Sequence, residues 1–309
     1  GGIGEAVGGR NTASVSSSFG GGGGGGRIAI YYDELDGFDL SNRVSAAGGK
    51  GENTSSYDGA TGTVYLEKAG GTGELIIDRK TGGGGTSWIW MPEGAATYAG
   101  DLKISGAMVV EQRSANFMPT NLYLVNGAVL KYRACTATTV YSLDLNVPGR
   151  LCISSDSAID AGGRGYLAGR THPNTTNGAS TYRSGGSYGG LGGNYPSGRV
   201  NAPYGDFRNP NEPGSGAYLY GAGGGNRAGG GLVRIVTGSL ELEGAIRANG
   251  QDGDYGRGSG GGIYLEVGRL SGGGIVEAVG GRNTADVSSY FGGSGGGGRI
   301  AIYYDELDG

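Results

Sequence analysis

Short runs in which apolar and polar residues alternate recur along the chain, most of them introduced by glycines: Ile28-Ala29-Ile30, Val64-Tyr65-Leu66, Val233-Arg234-Ile235, Ile263-Tyr264-Leu265 and Ile300-Ala301-Ile302. A period of two marks a strand with one buried face. No window holds apolar residues at i, i+3, i+4 and i+7 over three turns, so the pattern predicts an all-β chain with essentially no α-helix. Where one run follows the next directly, from Ile28 to Val64 and from Val233 through Ile263 to Ile300, they begin 36, 30 and 37 residues apart. Most are followed by a turn and a second apolar strand, as in Leu240 to Gly250, and then by a glycine-rich excursion. Between residues 100 and 160 glycines thin out, and Leu102, Leu122 and Leu143 open similar stretches 20 and 21 residues apart, read as plain coils.

Short strands joined by turns suit a sandwich of hairpins or a solenoid of stacked coils, and the regular repeat favours a parallel β-helix or β-solenoid. The expected organisation is one continuous segment over residues 1–309. It divides into glycine-rich coils (1–85), plain short coils (86–160), a long Gly/Tyr/Asn-rich excursion (161–231) and glycine-rich coils again (232–309). Asn126 and Asn249 precede Gly where a coil turns, either as left-handed residues laddering their amides between coils or as ordinary loop residues.

A longer period encloses the short one. Residues 1–37 recur as 273–309, an offset of 272, with differences at Gly4/Val276, Ser14/Asp286, Ser18/Tyr290 and Gly22/Ser294 alone. The chain reads as an internal piece of a tandem array with a unit of about 272 residues. About ten coils at roughly 4.8 Å would advance such a unit on the order of 48 Å.

Glycine supplies 74 of 309 positions, without the strict every-third spacing of collagen, and apolar residues still make up 36 %, more than a disordered chain carries. The runs Gly20–Gly26, Gly82–Gly85 and Gly295–Gly298 are either linkers or ordered polyglycine-II-like segments packed backbone to backbone, and their fixed lead into strands favours order. Net charge is −4 with basic residues scattered singly, so neither nucleic acid nor anionic lipid is an expected partner. No apolar run approaches the length of a membrane span.

Candidate chemistry is sparse. The single histidine, His172, excludes a histidine triad or multi-histidine metal site within these residues, and no phosphate-loop motif occurs. Asp33, Glu34 and Asp36, repeated as Asp305, Glu306 and Asp308, offer oxygens to calcium, although solvated turn carboxylates explain the cluster equally. Cys135 and Cys152 lie 17 residues apart, close enough for a bridge between adjacent coils; two buried thiols are the other reading. Tyrosine outnumbers phenylalanine 20 to 5, which suits half-exposed ladders, and Tyr182, Tyr188 and Tyr195 in the long excursion are candidate sugar-stacking residues.

The order Leu240-x-Leu242-x-Gly244-x-Ile246-x-Ala248-Asn249-Gly250, then glycines with Ile263-Tyr264-Leu265 and Arg299-Ile300-Ala301-Ile302-Tyr303-Tyr304, resembles glycine-rich repeat regions of very large bacterial cell-surface, adhesin-like proteins. The resemblance covers residues 1–70 and 150–309, and residues 100–160 look like the leading coils of such regions. It implies secretion, a β-solenoid stalk and a role in adhesion or surface structure, and transfers no catalytic residue. The expected function is therefore a structural, non-enzymatic unit of an extracellular fibre, whose partners are neighbouring repeats or identical chains. A carbohydrate-binding adhesin is the alternative, and a β-helix polysaccharide lyase or hydrolase using Asp101, Lys103, Arg133 and Asp144 is a further one.

Overall fold

The computed structural model describes residues 4–10, 20–51, 57–79, 87–89, 98–113, 118–218, 227–253, 255–282 and 291–308, with 41–42 and 87–89 described by their backbone alone. The run Gly82–Gly85 lies outside them. In chain order the elements are β1 (Gly4–Glu5), β2 (Arg27–Tyr32), α1 (Leu40–Arg43), β3 (Val44–Ser45), β4 (Thr63–Lys68), β5 (Glu74–Asp78), β6 (Ser87–Ile89), β7 (Asp101–Ser105), β8 (Val109–Gln112), β9 (Leu122–Val125), β10 (Val129–Tyr132), β11 (Ser142–Ile153), β12 (Ala158–Asp160), β13 (Leu232–Leu242), β14 (Ala245–Arg247), β15 (Gly262–Ser271), β16 (Ile275–Glu277) and β17 (Arg299–Asp308). The chain is all-β, with a single four-residue helical turn among the described residues.

Strands fall into a nine-stranded sheet ordered β17-β15-β13-β11-β9-β7-β5-β4-β2, a six-stranded sheet ordered β16-β14-β12-β10-β8-β6 and a parallel pair β1-β3. From β5 onward the chain alternates between the two larger sheets, one strand to each per pass, and every pairing is parallel. The step from the long sheet to the second sheet is a tight turn. Asn126 (φ 59°) and Gly127 (φ 82°) make one such turn in the left-handed region, and the Asn126 amide reaches back to Ser105 Oγ, 3.0 Å away in the previous pass. Asn249 ladders forward instead, its Oδ1 accepting from Val279 N at 2.8 Å.

Alternation fixes which side chains are buried. Leu143, Leu145 and Val147 of β11 point inward while Asp144 and Asn146 face solvent; in β13 and β15 the register sets Val233 on Ile263 and Ile235 on Leu265 in columns that run down one core. Leu122 is opposed by Leu151, not by Leu143, which instead stands beside Val233. The even spacing of leucines is misleading here because β11 runs for 12 residues and meets β9 only through its final part.

The junction of β4 and β5 departs from the parallel rule. Gly70 (φ 76°) and Gly73 (φ 78°) close a turn and the two strands pair antiparallel, Val64 opposite Ile76. Successive residues of a strand point to opposite faces, and β5 uses both. Leu75 and Ile77 enter the large core with Leu102 and Ile104, whereas Ile76 joins a second core with Val44, Val64, Leu66, Ile28 and Ile30. The hydrophobic core thus changes face of the continuous sheet at this hairpin.

Candidate interaction surfaces

The glycine runs lie beside the sheets as extended strings whose amides bond other strings, and the partner changes with a period of three. Gly23 and Gly26 donate to Gly9 and Ala6, while Gly22 and Gly25 donate to Tyr57 and Ala60 of the following pass. In the second copy Gly295 and Gly298 donate to Gly281 and Ala278, while Gly293 and Gly296 donate to Arg183 and Gly186 of the long excursion. One pass earlier, Arg257 and Gly260 donate to Gly293 and Gly296, Ser259 to Ser215, and Gly261 to Ala248. Three residues per turn without bonds inside the string is the geometry of a polyproline-II helix. Side chains are excluded: a Cβ at Gly258 would lie 2.0 Å from Ala228 O, and one at Gly295 1.9 Å from Gly258 O. Arg257, fully buried, sends Nε to Gly253 O and a guanidinium NH to Gly292 O, each at 2.6 Å.

Within the long excursion a polar hub and an aromatic cluster replace strands. Asn201, 2 % exposed, accepts from Ser187 N (2.8 Å) and Ser180 Oγ (3.0 Å) and turns its amide nitrogen toward Thr171 Oγ1 and Ser215 Oγ, both at 3.1 Å. Tyr188 packs on Tyr204 with centroids 4.8 Å apart, His172 stacks on the same tyrosine at 5.2 Å, and Arg299 places its guanidinium 5.4 Å from the Tyr188 ring. Burial raises the phenols of Tyr166, Tyr188 and Tyr204 well above their ordinary range.

Of the three tyrosines singled out for sugar stacking, Tyr188 is completely buried and presents no face to a ligand. Tyr182 and Tyr195 do meet at the surface, edge to face at 5.5 Å, with Tyr218 6.3 Å from Tyr182 and the Arg183 guanidinium over Tyr182, Tyr195 and Tyr255. Tyr182 and Arg183 both hold positive φ (31° and 57°). On the outer face of the long sheet the register brings Tyr264 to Tyr303, 5.6 Å apart, beside Glu266 and under Arg234, 4.2 Å from the Tyr264 ring. The excess of tyrosine over phenylalanine pointed to ladders of this kind; Tyr218, Tyr255 and Arg183 carried no signal in the sequence because excursion loops bring them together.

The other expected sites are dispersed. Asp33, Glu34 and Asp36 stand exposed in a bend, and Asp305, Glu306 and Asp308 alternate along exposed β17, where Asp308 pairs with Arg269. Among the described residues no three His, Cys, Asp or Glu groups converge on a point a metal could occupy. Cys135 and Cys152 are both free. Cys135 is buried after β10, accepting from Tyr141 N at 3.5 Å, while Cys152 projects from β11 between Tyr123 and Glu241 in the long sheet; of the two readings, a bridge or two thiols, the structure has the thiols. Asp101 accepts from Asn121 at 2.8 Å, Arg133 lies 5.6 Å from the Tyr141 ring, and Asp144 accepts from Ser142 and faces Arg234. Asp101 and Lys103 share β7, Arg133 follows β10 and Asp144 lies on β11, and these contacts are with separate partners.

Among the described residues no helix is long and apolar enough to cross a membrane. No family model, curated protein or solved structure matches this chain.

Proposed function

We propose that this chain is a structural repeat unit of an extracellular fibre, filament or surface stalk, built as a β-solenoid of parallel strands flanked by a polyglycine-II-like lattice, and that its work is mechanical rather than enzymatic. One observation carries the reading. The near-identical segments 1–37 and 273–309 supply β2 and β17, the two outermost strands of one continuous sheet, so that the sheet begins and ends on the same strand sequence. Parallel passes in register and a three-residue amide period in the glycine strings support the solenoid and the lattice respectively. The extracellular location rests on the resemblance to cell-surface repeat regions, since the free thiols lend it nothing.

The first test is fibre diffraction or power spectra from frozen native filaments. Eight strand spacings separate β2 from β17, so the axial unit is about 38 Å, shorter than a ten-coil count suggests, with a strand reflection near 4.8 Å. Discrete globular particles of constant size would end the fibre reading. An adhesive role is favoured by one feature, the outward cluster of Tyr182, Tyr195, Tyr218 and Arg183. On a glycan array, Tyr182→Ala with Tyr195→Ala is expected to abolish retention of any bound sugar; retention unchanged by both removes that role.

A further inference from the structure

We propose that the two outer edges of this sheet are the two halves of a single junction, that the partner each edge fits is a second copy of this chain, and that successive copies along the fibre are related by a half-turn about its axis. The proposal deepens the fibre reading and rests on it.

The edges are complementary by sequence identity. Arg27–Tyr32 and Arg299–Tyr304 are the same six residues, and in a strand the backbone groups of odd- and even-numbered residues face opposite edges. Arg299 N donates to Gly261 O, so odd residues of β17 face β15; Gly26 O and Tyr32 O accept from Thr63 N and Ala69 N, so even residues of β2 face β4. The offset of 272 is even, so parity carries over. The edge that β17 leaves open is the one β2 has filled with β4, and the edge that β2 leaves open is the one β17 has filled with β15.

The glycine strings say the same independently. A Cβ at Gly25 would lie 1.9 Å from Ala46 O, and at the corresponding Gly260 2.1 Å from Ala278 O, because a following pass covers each. Gly297 is the second copy of Gly25, and there a Cβ meets nothing within 4 Å. Gly25 N donates to Ala60 O and Gly260 N to Gly296 O, whereas Gly297 N has no partner among the described residues. Gly297 is thus shaped for a covering pass that the described residues do not supply.

Direction sets the symmetry. β2 and β4 are parallel, β4 and β5 antiparallel, and every pairing from β5 to β17 parallel, so β2 and β17 run in opposite directions in one sheet. Their like side chains lie on opposite faces: Ile28 and Ile30 join the core of Val44, while Ile300 and Ile302 stand beside Ile263 and Leu265 on the face of the larger core. Identical strands so disposed are related by a half-turn about the stacking axis, offset by the twist of the sheet. When β2 of the next copy pairs in parallel along the edge that β17 leaves open, the operation repeats, and a head-to-tail contact that never closes gives a filament. Each copy keeps both β2 and β17, so nine strand spacings make the unit rise of such an assembly about 43 Å and its true repeat about 86 Å, two units.

The test is cryo-electron microscopy of end-to-end assemblies of the full chain, with Gly297→Ala imaged beside it. The expected result is units turned by nearly 180° at each step, with a layer line at twice the unit rise. Gly297→Ala is expected to melt at the wild-type temperature and to remain unassembled. Filaments whose units all face one way overturn the half-turn while leaving the fibre reading intact, Gly297→Ala assembling like wild type overturns the junction, and failure of wild type to assemble overturns both readings. The reversal is tested separately in the single chain: Val64→Cys with Ile76→Cys, directly opposed in the antiparallel pair, is expected to form a mapped disulfide on mild oxidation. No such cross-link means no reversal and no half-turn.

Discussion

A buried thiol holds its proton, because burial disfavours the thiolate. Cys135 is buried and its pKa is raised by burial; that of Cys152 is raised by partial burial first and by the nearby Glu241 carboxylate second. Both thiols are therefore poor nucleophiles near neutrality and gain reactivity as pH rises past the ordinary thiol range. With a chromogenic disulfide at pH 8, Cys152 is expected to react slowly and the buried Cys135 more slowly still, both rates climbing with pH, while urea releases both thiols at once. Finding no free thiol in urea would reinstate the bridge.

At the scale of the element, one sequence takes two forms. Arg27 to Gly37 and Arg299 to Gly309 are identical, yet β17 runs for 10 residues and β2 for 6. The neighbour decides: β15 offers backbone partners as far as Ser271, whereas β4 stops at Lys68 before its turn. This is why strand existence was legible in alternation while strand length, the Leu151 register and the β4–β5 reversal were not; each is fixed by a pairing partner remote in sequence. For Gly20–Gly26 and Gly295–Gly298 the sequence hinted at order only through their lead into strands, while the change of amide partner every third residue is fixed by neighbouring strings remote in sequence. Their tightness is testable. Gly295→Ala drives a Cβ to 1.9 Å from Gly258 O, and is expected to destabilise by about 1–3 kcal/mol, the usual range for overpacking. A urea midpoint for Gly295→Ala equal to wild type would mean that the strings are not packed backbone to backbone.

Beside its two apolar cores the whole molecule leans on buried tyrosines. Tyr98 packs against the main core, Tyr166 and Tyr188 are buried in the excursion, and the Tyr204 hydroxyl is held between Pro213 O and Ser215 Oγ. Burial raises all four pKa values, and at the β4–β5 seam Tyr65, donating to Glu67, is pushed up to about 12. In the unfolded chain each returns to about 10. A folded pKa above the unfolded one gives stability that is complete below pH 10 and is lost as pH climbs beyond it, by about 1.4 kcal/mol per pH unit for each buried phenol still protonated. Unfolding free energy is accordingly expected to be level with respect to these groups through neutral pH and to fall steeply above pH 10. The buried tyrosines should ionise only together with loss of the β circular-dichroism signal. Phenolate absorbance that reaches its full value near pH 10 with that signal intact would show that the excursion is open to water, and would remove the aromatic cluster that anchors Arg299 and the last glycine string to the rest of the unit.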